Sequence, residues 1–219
     1  MSNDRVENRA DDRARALALC PVSRETQQKL DDYVALLQRW QPIKNLVSNK
    51  TLDEIWVRHI ADSLQLAEIR PDCRRWADLG SGAGFPGLII ACTWQDSDRL
   101  MHLVESNQRK SAFLQEVARQ LKLPVRVHAK RIEEVIPDLL SEKIEVVSAR
   151  ALTSLDQLIH YCAPLVENKA EALFLKGQDI EKELTEATKY WNITARLIPS
   201  KTDQTGRIIS ITKVETRAP

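Results

Sequence analysis

Residues 76–91 read WADLGSGAGFPGLIIA, and this stretch indicates how the middle of the chain folds. An apolar run ends at Asp78, four glycines follow within eight residues, and an apolar helical pattern begins at Gly87. A strand, a glycine-rich turn and a helix in this order are typical of α/β sheets whose ligands bind beyond the carboxyl ends of the strands. Because four glycines exceed what a tight turn needs, we expect a ligand to lie against the backbone of this loop.

Two classes of ligand fit the letters of this loop. From Gly82 it reads GAGFPG, which satisfies the G-x-G-x-x-G pattern of dinucleotide sites, a weak signal by itself. From Asp78 it reads DLGSGAG, which is typical of an S-adenosylmethionine site. Asp78 favours the second class, because a carboxylate would repel a pyrophosphate, whereas S-adenosylmethionine carries an ammonium and a sulfonium group. A dehydrogenase also usually needs a separate substrate domain, for which this chain has little room.

Residues at the next four strand ends fit a nucleoside ligand. Glu105 ends the second predicted strand about twenty residues further on, where a carboxylate can accept both hydroxyls of a ribose. After the third strand, the backbone amides of Ile132 and Glu133 are positioned to read the edge of an adenine. Arg150 follows the fourth strand, at the methyl-transfer position, and Lys176 ends the fifth on the same side. These residues indicate a nucleoside site without naming the nucleoside.

Hydrophobic periodicity divides the chain into a helical segment, residues 1–70, packed on an α/β domain, residues 71–219. Residues 1–15 are expected to be a frayed, charged arm. An amphipathic helix follows until Pro42 ends it, and a capping box at Thr51 opens another. Alternating strand and helix patterns then predict a Rossmann-like, mostly parallel sheet of seven strands, the last two forming an antiparallel pair at one edge. The strands are expected at 75–79, 100–105, 125–129, 144–148, 172–176, 193–198 and 207–214.

Composition favours a cytoplasmic protein without a metal. The longest apolar runs are far shorter than the roughly 20 residues of a membrane span, and the first residues lack the apolar core of a signal peptide. The four cysteines form no C-x-x-C pair and the four histidines are dispersed, so we expect reduced, buried thiols and no metal site. The formal net charge is +1, so a nucleic-acid partner would require a local basic surface or recognition within a larger assembly.

Two motifs of nucleic-acid methylation are missing from the sequence. None of the nine prolines is adjacent to another, which excludes the [DNS]-P-P-[YFW] motif of many exocyclic-amine methylases. No Pro-Cys follows the fourth strand, so the nucleophile of pyrimidine C5 methylation is absent as well. A ring nitrogen with a free lone pair, such as guanine N7, needs neither device, and its methylation could depend on alignment alone.

Taken together, these stretches resemble the ribosomal RNA small subunit methyltransferase G family, also called the glucose-inhibited division protein B family. The resemblance covers residues 30–213 and includes RWQPIKNLVS, VRHIADSL, WADLGSGAGFPGL, LVESNQRKSAFL, KRIEE, SARALTSL, LKGQ and GRIISITK. It implies a class I S-adenosylmethionine-dependent methyltransferase fold and N7-methylation of a guanosine in the 530 loop of 16S ribosomal RNA, either naked or within the 30S subunit. A monomer is expected.

The resemblance also implies roles for particular residues. With the loop residues named above, the expected cofactor-binding set is Asp78, Gly80, Gly82, Gly84, Phe85, Glu105, Ile132, Glu133 and Arg150. Arg150 is also the candidate at the methyl-transfer position, and no general base is expected. Candidates for contact with RNA are Arg58, His59 and Lys176; His59 either lines the site or packs its helix on the sheet.

Two other classes of function remain open from the residues alone. One is a nicotinamide-dependent oxidoreductase, and the other is a non-catalytic, nucleoside-binding module associated with the ribosome.

Overall fold

The computed structural model describes residues 2–44, 46–47, 52, 54–95 and 98–217, and a seven-stranded sheet organises them. The strands are β1 (Arg75–Leu79), β2 (Leu100–Val104), β3 (Val125–His128), β4 (Val146–Arg150), β5 (Glu171–Lys176), β6 (Trp191–Pro199) and β7 (Arg207–Thr216). Their order is β3-β2-β1-β4-β5-β7-β6. Strands β1 to β5 pair in parallel, whereas β7 runs antiparallel between β5 and β6. The predicted sheet and its antiparallel edge pair are confirmed.

Helices cover both faces of this sheet. They are α1 (Ser2–Leu19), α2 (Arg24–Lys44), a π-helix (Trp56–Ala61), α3 (Asp62–Ile69), α4 (Gly87–Cys92), α5 (Gln108–Gln120), α6 (Ile132–Ser141), α7 (Leu155–Glu167) and α8 (Ile180–Ala187). One apolar core joins α1 to α5 with one sheet face, and a second joins α6, α7 and α8 with the other. Neighbouring residues of β1 point into different cores, Trp76 into the first and Ala77 into the second, as strand geometry requires.

Three expectations about the first 70 residues need correction or qualification. The predicted frayed arm is helix α1, whose Ala16 is buried in the first core; few other apolar residues mark it in the sequence. Pro42 lies inside α2, two residues before its end, so the helix continues briefly past the proline and ends within the same turn. The predicted capping residue Thr51 lies outside the described residues, and the helix after it begins with a π-helical turn.

The four cysteines are free and buried, as expected. They are Cys20, Cys73, Cys92 and Cys162, and burial raises the pKa of each thiol to about 12. No helix among the described residues is long and apolar enough to cross a membrane.

Candidate functional site

The glycine loop joins β1 to α4 at the carboxyl edge of the parallel strands. Gly80, Gly82 and Gly84 all have positive φ, of 70°, 57° and 102°. A Cβ atom placed on Gly82 would have no neighbour nearer than the Gly80 carbonyl oxygen, at 3.9 Å, so the space beside this backbone is open. At Gly84 a Cβ atom would overlap Leu88 of α4 instead. Gly82 is therefore the position of the loop at which a ligand can approach the main chain.

Asp78 supports this loop from inside the protein. Its Oδ2 atom accepts a hydrogen bond from the Gly87 amide at 3.1 Å, and its Oδ1 atom accepts one from the Ser148 hydroxyl at 2.8 Å. The side chain is 1% exposed, and burial raises the pKa of the carboxyl to about 7. Both oxygens are engaged by the protein and hold α4 and β4 beside the loop, and the contact of Asp78 with the cofactor stays a prediction.

Glu105, at the end of β2, is bonded directly to the glycine loop. Its Oε2 atom accepts from the Gly82 amide at 2.9 Å and its Oε1 atom from the Asn107 amide at 2.8 Å. The residue is buried, so this carboxylate has a fixed orientation. Each oxygen keeps a lone pair for a further donor, which is what two ribose hydroxyls would supply.

Ile132 and Glu133 lie in the first turn of α6, directly after β3. Arg131 precedes them in an extended conformation and provides no side-chain cap. Amides in the first turn of a helix lack partners within the helix, so these two are positioned to bind an acceptor from outside. The sheet order brings them to the same edge as Glu105 and the glycine loop.

Arg150, at the tip of β4, connects the sheet with the helices that precede it. Its Nε atom lies 3.2 Å from Oδ2 of Asp62, and an Nη2 hydrogen bond of 3.2 Å goes to the Arg58 carbonyl. Its guanidinium also lies over the Phe85 ring, 5.8 Å from the centroid. Asp62 in turn accepts from the Thr202 hydroxyl at 2.8 Å. The β6–β7 loop and α3 therefore both fix the position of Arg150.

His59 packs against Phe85 and faces the same region. The two ring centroids are 5.0 Å apart, and the Phe85–Pro86 peptide is cis. Both ring nitrogens of His59 are buried and have no hydrogen-bond partner within the described part of the chain. Burial, followed by the charges of Arg150 and Arg58, lowers its pKa to about 3, so the imidazole is neutral. His59 thus packs the π-helix on the loop and also lies beside Arg150.

A cavity of about 790 Å³ lies next to Arg150, between the π-helix, the ends of β4 and β5, and the start of β7. Five basic side chains line it: Arg15, Arg58, Arg150, Lys176 and Arg207. Sequence reasoning missed Arg15 and Arg207. Arg207 reaches the cavity because the antiparallel register of β5 and β7 sets it opposite Lys176. No sequence pattern marks that pairing.

The two predicted RNA-binding cations in this cavity differ in availability. Lys176 is 10% exposed, with its ammonium bonded to the Thr153 carbonyl at 2.9 Å and paired with Glu183 at 2.7 Å. Its ammonium thus secures the segment that follows β4, and contact of Lys176 with RNA stays a prediction. Arg58 is 63% exposed at its side chain and has Glu54 at 3.5 Å, so its guanidinium faces solvent.

Solved structures share this architecture. An O-methyltransferase from Streptomyces achromogenes, TomG, in complex with SAM, matches with a TM-score of 0.57 and 10% identity over 87% of this chain and 91% of that one. An O-methyltransferase from Bacillus cereus in complex with SAH matches with a TM-score of 0.57 and 12% identity, over 93% and 97%. The sheet order and the glycine loop after β1 define a class I S-adenosylmethionine-dependent methyltransferase fold.

Sequence comparison identifies the family. A model described as rRNA small subunit methyltransferase G (GidB) matches residues 26–206, and the chain belongs to this family. Relatives bearing the name ribosomal RNA small subunit methyltransferase G include one from Nitrobacter hamburgensis, 50% identical over 95% of this chain and 80% of its own length. Another, from Methylobacterium nodulans, is 50% identical over 96% of this chain and 99% of its own length.

Proposed function

We propose that this chain transfers a methyl group from S-adenosylmethionine to N7 of a guanine in the RNA of the small ribosomal subunit. Family membership supports the reaction class and the substrate class. The observation that carries the proposal within the structure is the arrangement around Phe85. Phe85 belongs to the loop held by Glu105, and Arg150, which lines the cavity, lies over its ring; this supports a donor site and an acceptor site next to each other.

The residues around the loop fit the methyl donor. The open space at Gly82 allows a nucleoside against the main chain, and the Glu105 carboxylate can accept hydrogen bonds from its ribose hydroxyls. The first-turn amides of Ile132 and Glu133 can donate hydrogen bonds to acceptor atoms on the edge of the adenine. S-adenosylmethionine supplies an electrophilic methyl group on a positively charged sulfur. Asp78 holds the loop in place through its bonds to Gly87 and Ser148.

The acceptor chemistry fits a site without a general base. Guanine N7 has a free lone pair and no proton, so it attacks the methyl carbon directly, the carbon–sulfur bond breaks, and the positive charge passes from sulfur to the base. The neutral imidazole of His59 and the pair of Arg150 with Asp62 would then orient the reactants and exclude water. Holding nitrogen, carbon and sulfur in line accounts for the acceleration by proximity.

The partner proposed for this site is a folded ribosomal particle. The formal net charge of +1 provides little of the long-range attraction on which nucleic-acid affinity usually depends. We therefore expect contacts with a structured 30S subunit to add to those of the cavity, and the protein to act as a cytoplasmic monomer without a metal. We also expect residues 1–70 and 71–219 to unfold together, since α1 to α5 share one core with the sheet.

Labelled methyl transfer tests the proposal. Wild-type protein is incubated with labelled S-adenosylmethionine and either naked 16S RNA or 30S subunits from a strain lacking the enzyme. The product is then reduced, cleaved with aniline at N7-methylguanine and mapped by primer extension. We expect a single cleavage site and faster labelling of 30S subunits. Label at another atom of the RNA would contradict the N7 assignment.

Two outcomes would favour the other classes of function. Calorimetric titration in which NADH binds and S-adenosylmethionine does not would favour an oxidoreductase. Donor binding without methyl incorporation into either RNA substrate would favour a non-catalytic module.

A further inference from the structure

Asp12 of α1 caps the π-helix from a distant part of the chain. Its Oδ2 atom accepts from the Trp56 amide at 2.8 Å, and its Oδ1 atom accepts from the Val57 amide at 3.3 Å. These are the first two amides of the π-helix, which an isolated helix leaves without partners. Asp12 is 6% exposed and also lines the cavity beside Arg150, and these two amides are the partners of its oxygens.

The capped turn leads directly to Arg150. The residue after Val57 is Arg58, and its carbonyl oxygen accepts the hydrogen bond from the Arg150 guanidinium at 3.2 Å. The residue that Asp12 holds, Val57, is thus directly followed by the residue that Arg150 contacts, Arg58. π-helical turns are rare, occur mostly as single turns inside α-helices and are frequent at functional sites. A shift of this turn would move the Arg58 carbonyl and the cavity wall together.

A second contact attaches α1 to α2 without involving these amides. Both oxygens of Asp31 accept from the Arg13 guanidinium, at 2.8 Å each. Helix α1 precedes the residues 26–206 that the family model matches, so nothing in that match explains the Asp12 cap. The two aspartates thus offer two ways to weaken the attachment of α1, and only Asp12 bonds to the amides of the π-helix; Arg13 meets that helix through the Trp56 ring, 5.1 Å from its centroid.

We propose that Asp12 is a positioning residue for methyl transfer: through the π-helix it sets the place of Arg150 and of the cavity wall. This inference rests on the proposed function. Asp12 itself does not contact the donor site at Glu105 and Gly82, which the hydrogen-bonded loop holds independently. Its effect is therefore expected on turnover rather than on donor affinity.

The matched variants Asp12→Asn and Asp31→Asn test the inference. An asparagine at position 12 keeps one acceptor oxygen and loses the other, so kcat for 30S methylation should fall about 10-fold, within the range by which small misplacements slow catalysis. The dissociation constant of S-adenosylmethionine should change less than about twofold. Asp31→Asn, which weakens a partly exposed ion pair, should leave both within about twofold of wild type.

Further readouts separate positioning from general destabilisation. Asp12→Ala should have a lower kcat than Asp12→Asn at temperatures where both variants are folded by circular dichroism. The 15N resonance of the Arg150 Nε–H group should shift in Asp12→Asn and stay in place in Asp31→Asn. If Asp12→Ala does not fold, the comparison of Asp12→Asn with Asp31→Asn, in kcat and in the Arg150 resonance, is sufficient to test the inference.

Several results would overturn the inference. These are wild-type kcat in Asp12→Asn, equal losses in the two asparagine variants, or an unmoved Arg150 resonance. A wild-type protein that methylates no RNA would instead refute the proposed function, and the resonance would still test the positioning.

Discussion

The ion pair between Arg150 and Asp62 joins the helical segment to the sheet at the candidate site. The Nε–Oδ2 distance is 3.2 Å, and the two side chains are only 17% and 16% exposed. Burial lowers the pKa of Arg150 and raises that of Asp62, although each partner opposes the shift of the other. Desolvation thus offsets much of the attraction, so the pair contributes orientation more than stability.

The pair predicts different effects of single and double variants. Arg150→Met and Asp62→Leu should each destabilise the protein by about 3 kcal/mol, because each leaves a buried charge without its partner. The double variant should regain most of that stability and remain without detectable methyl transfer. Chemical denaturation and labelled methyl incorporation measure the two effects. A double variant that regains activity would show that neither charge is required for the reaction.

Gly82 predicts a loss of donor affinity from a single methyl group. In Gly82→Ala the Cβ atom would occupy the open space beside the loop, and the positive φ adds a strain of roughly 1–2 kcal/mol. We expect the affinity for S-adenosylmethionine, measured by calorimetry, to fall at least about tenfold. Gly177→Ala is the control, since a Cβ atom there meets nothing within 4 Å. Equal donor affinity in the two variants would contradict the placement of the ligand at Gly82.

Glu105 predicts a loss that depends on charge rather than size. In Glu105→Gln the side-chain NH2 group would face the backbone amide of Gly82 or Asn107. Both groups are donors, so the hydrogen bond that the carboxylate oxygen accepts would be lost. The lost charged hydrogen bonds should weaken donor binding by about 1–3 kcal/mol. Glu116→Gln, on the exposed side of α5, makes the same change at a carboxylate whose partner is Arg119 and should bind the donor as wild type does. Unchanged affinity in Glu105→Gln would exclude Glu105 as a ribose ligand.

Arg58 and Lys176 predict different responses to salt. Arg58→Gln removes an exposed cation from the cavity, so it should weaken binding to 30S subunits and reduce the slope of log affinity against log salt by about one. Lys176→Met should leave that slope unchanged and lower kcat, because the ammonium is already bonded to Thr153 and Glu183. Filter-binding titrations at several salt concentrations measure the slope. A reduced slope in Lys176→Met would show that its ammonium is free to meet phosphate.

His102 and His128 predict a loss of stability in acid. Nδ1 of His102 lies 3.0 Å from Nε2 of His128. Burial, and then the His128 charge, lowers the pKa of His102 from 6.5 to about 4, and burial also lowers that of His128. Between these pKa values the unfolded chain binds more protons than the folded one, so stability falls as pH decreases, by up to about 1.4 kcal/mol per pH unit for each proton.

A variant isolates this effect from that of Asp78. Burial raises the pKa of Asp78 from 3.8 to about 7. The contribution of Asp78 to the unfolding free energy therefore falls as pH rises from 3.8 towards 7, in the opposite direction to that of His102. Plotted against pH, the unfolding free energies of wild type and His102→Leu should therefore diverge between pH 6.5 and pH 4 and run parallel above pH 6.5. His160→Gln, at an exposed histidine, should follow the wild type throughout. Parallel curves for His102→Leu down to pH 4 would contradict the lowered pKa.

Sequence periodicity predicted the sheet because alternating buried strands and amphipathic helices leave a strong pattern. The strand ends followed from it, so Gly82, Glu105 and Arg150 could be predicted to lie at one edge. Helix α1 could not, because few apolar residues mark it and its buried charge, Asp12, is satisfied by amides far along the chain. The partners of Lys176 could not be predicted either, because a lysine at a strand end has the same sequence pattern whether it faces solvent or a glutamate.

The burial of all four cysteines has a consequence for mapping the RNA. Thiol reagents attack the thiolate, and a pKa of about 12 leaves very little of it at neutral pH. The native protein therefore offers almost no background for labelling. A cysteine introduced by Asp203→Cys, at an exposed position on the cavity rim, would react with a tethered cleavage reagent, and the resulting scissions would trace the ribosomal RNA over the protein surface.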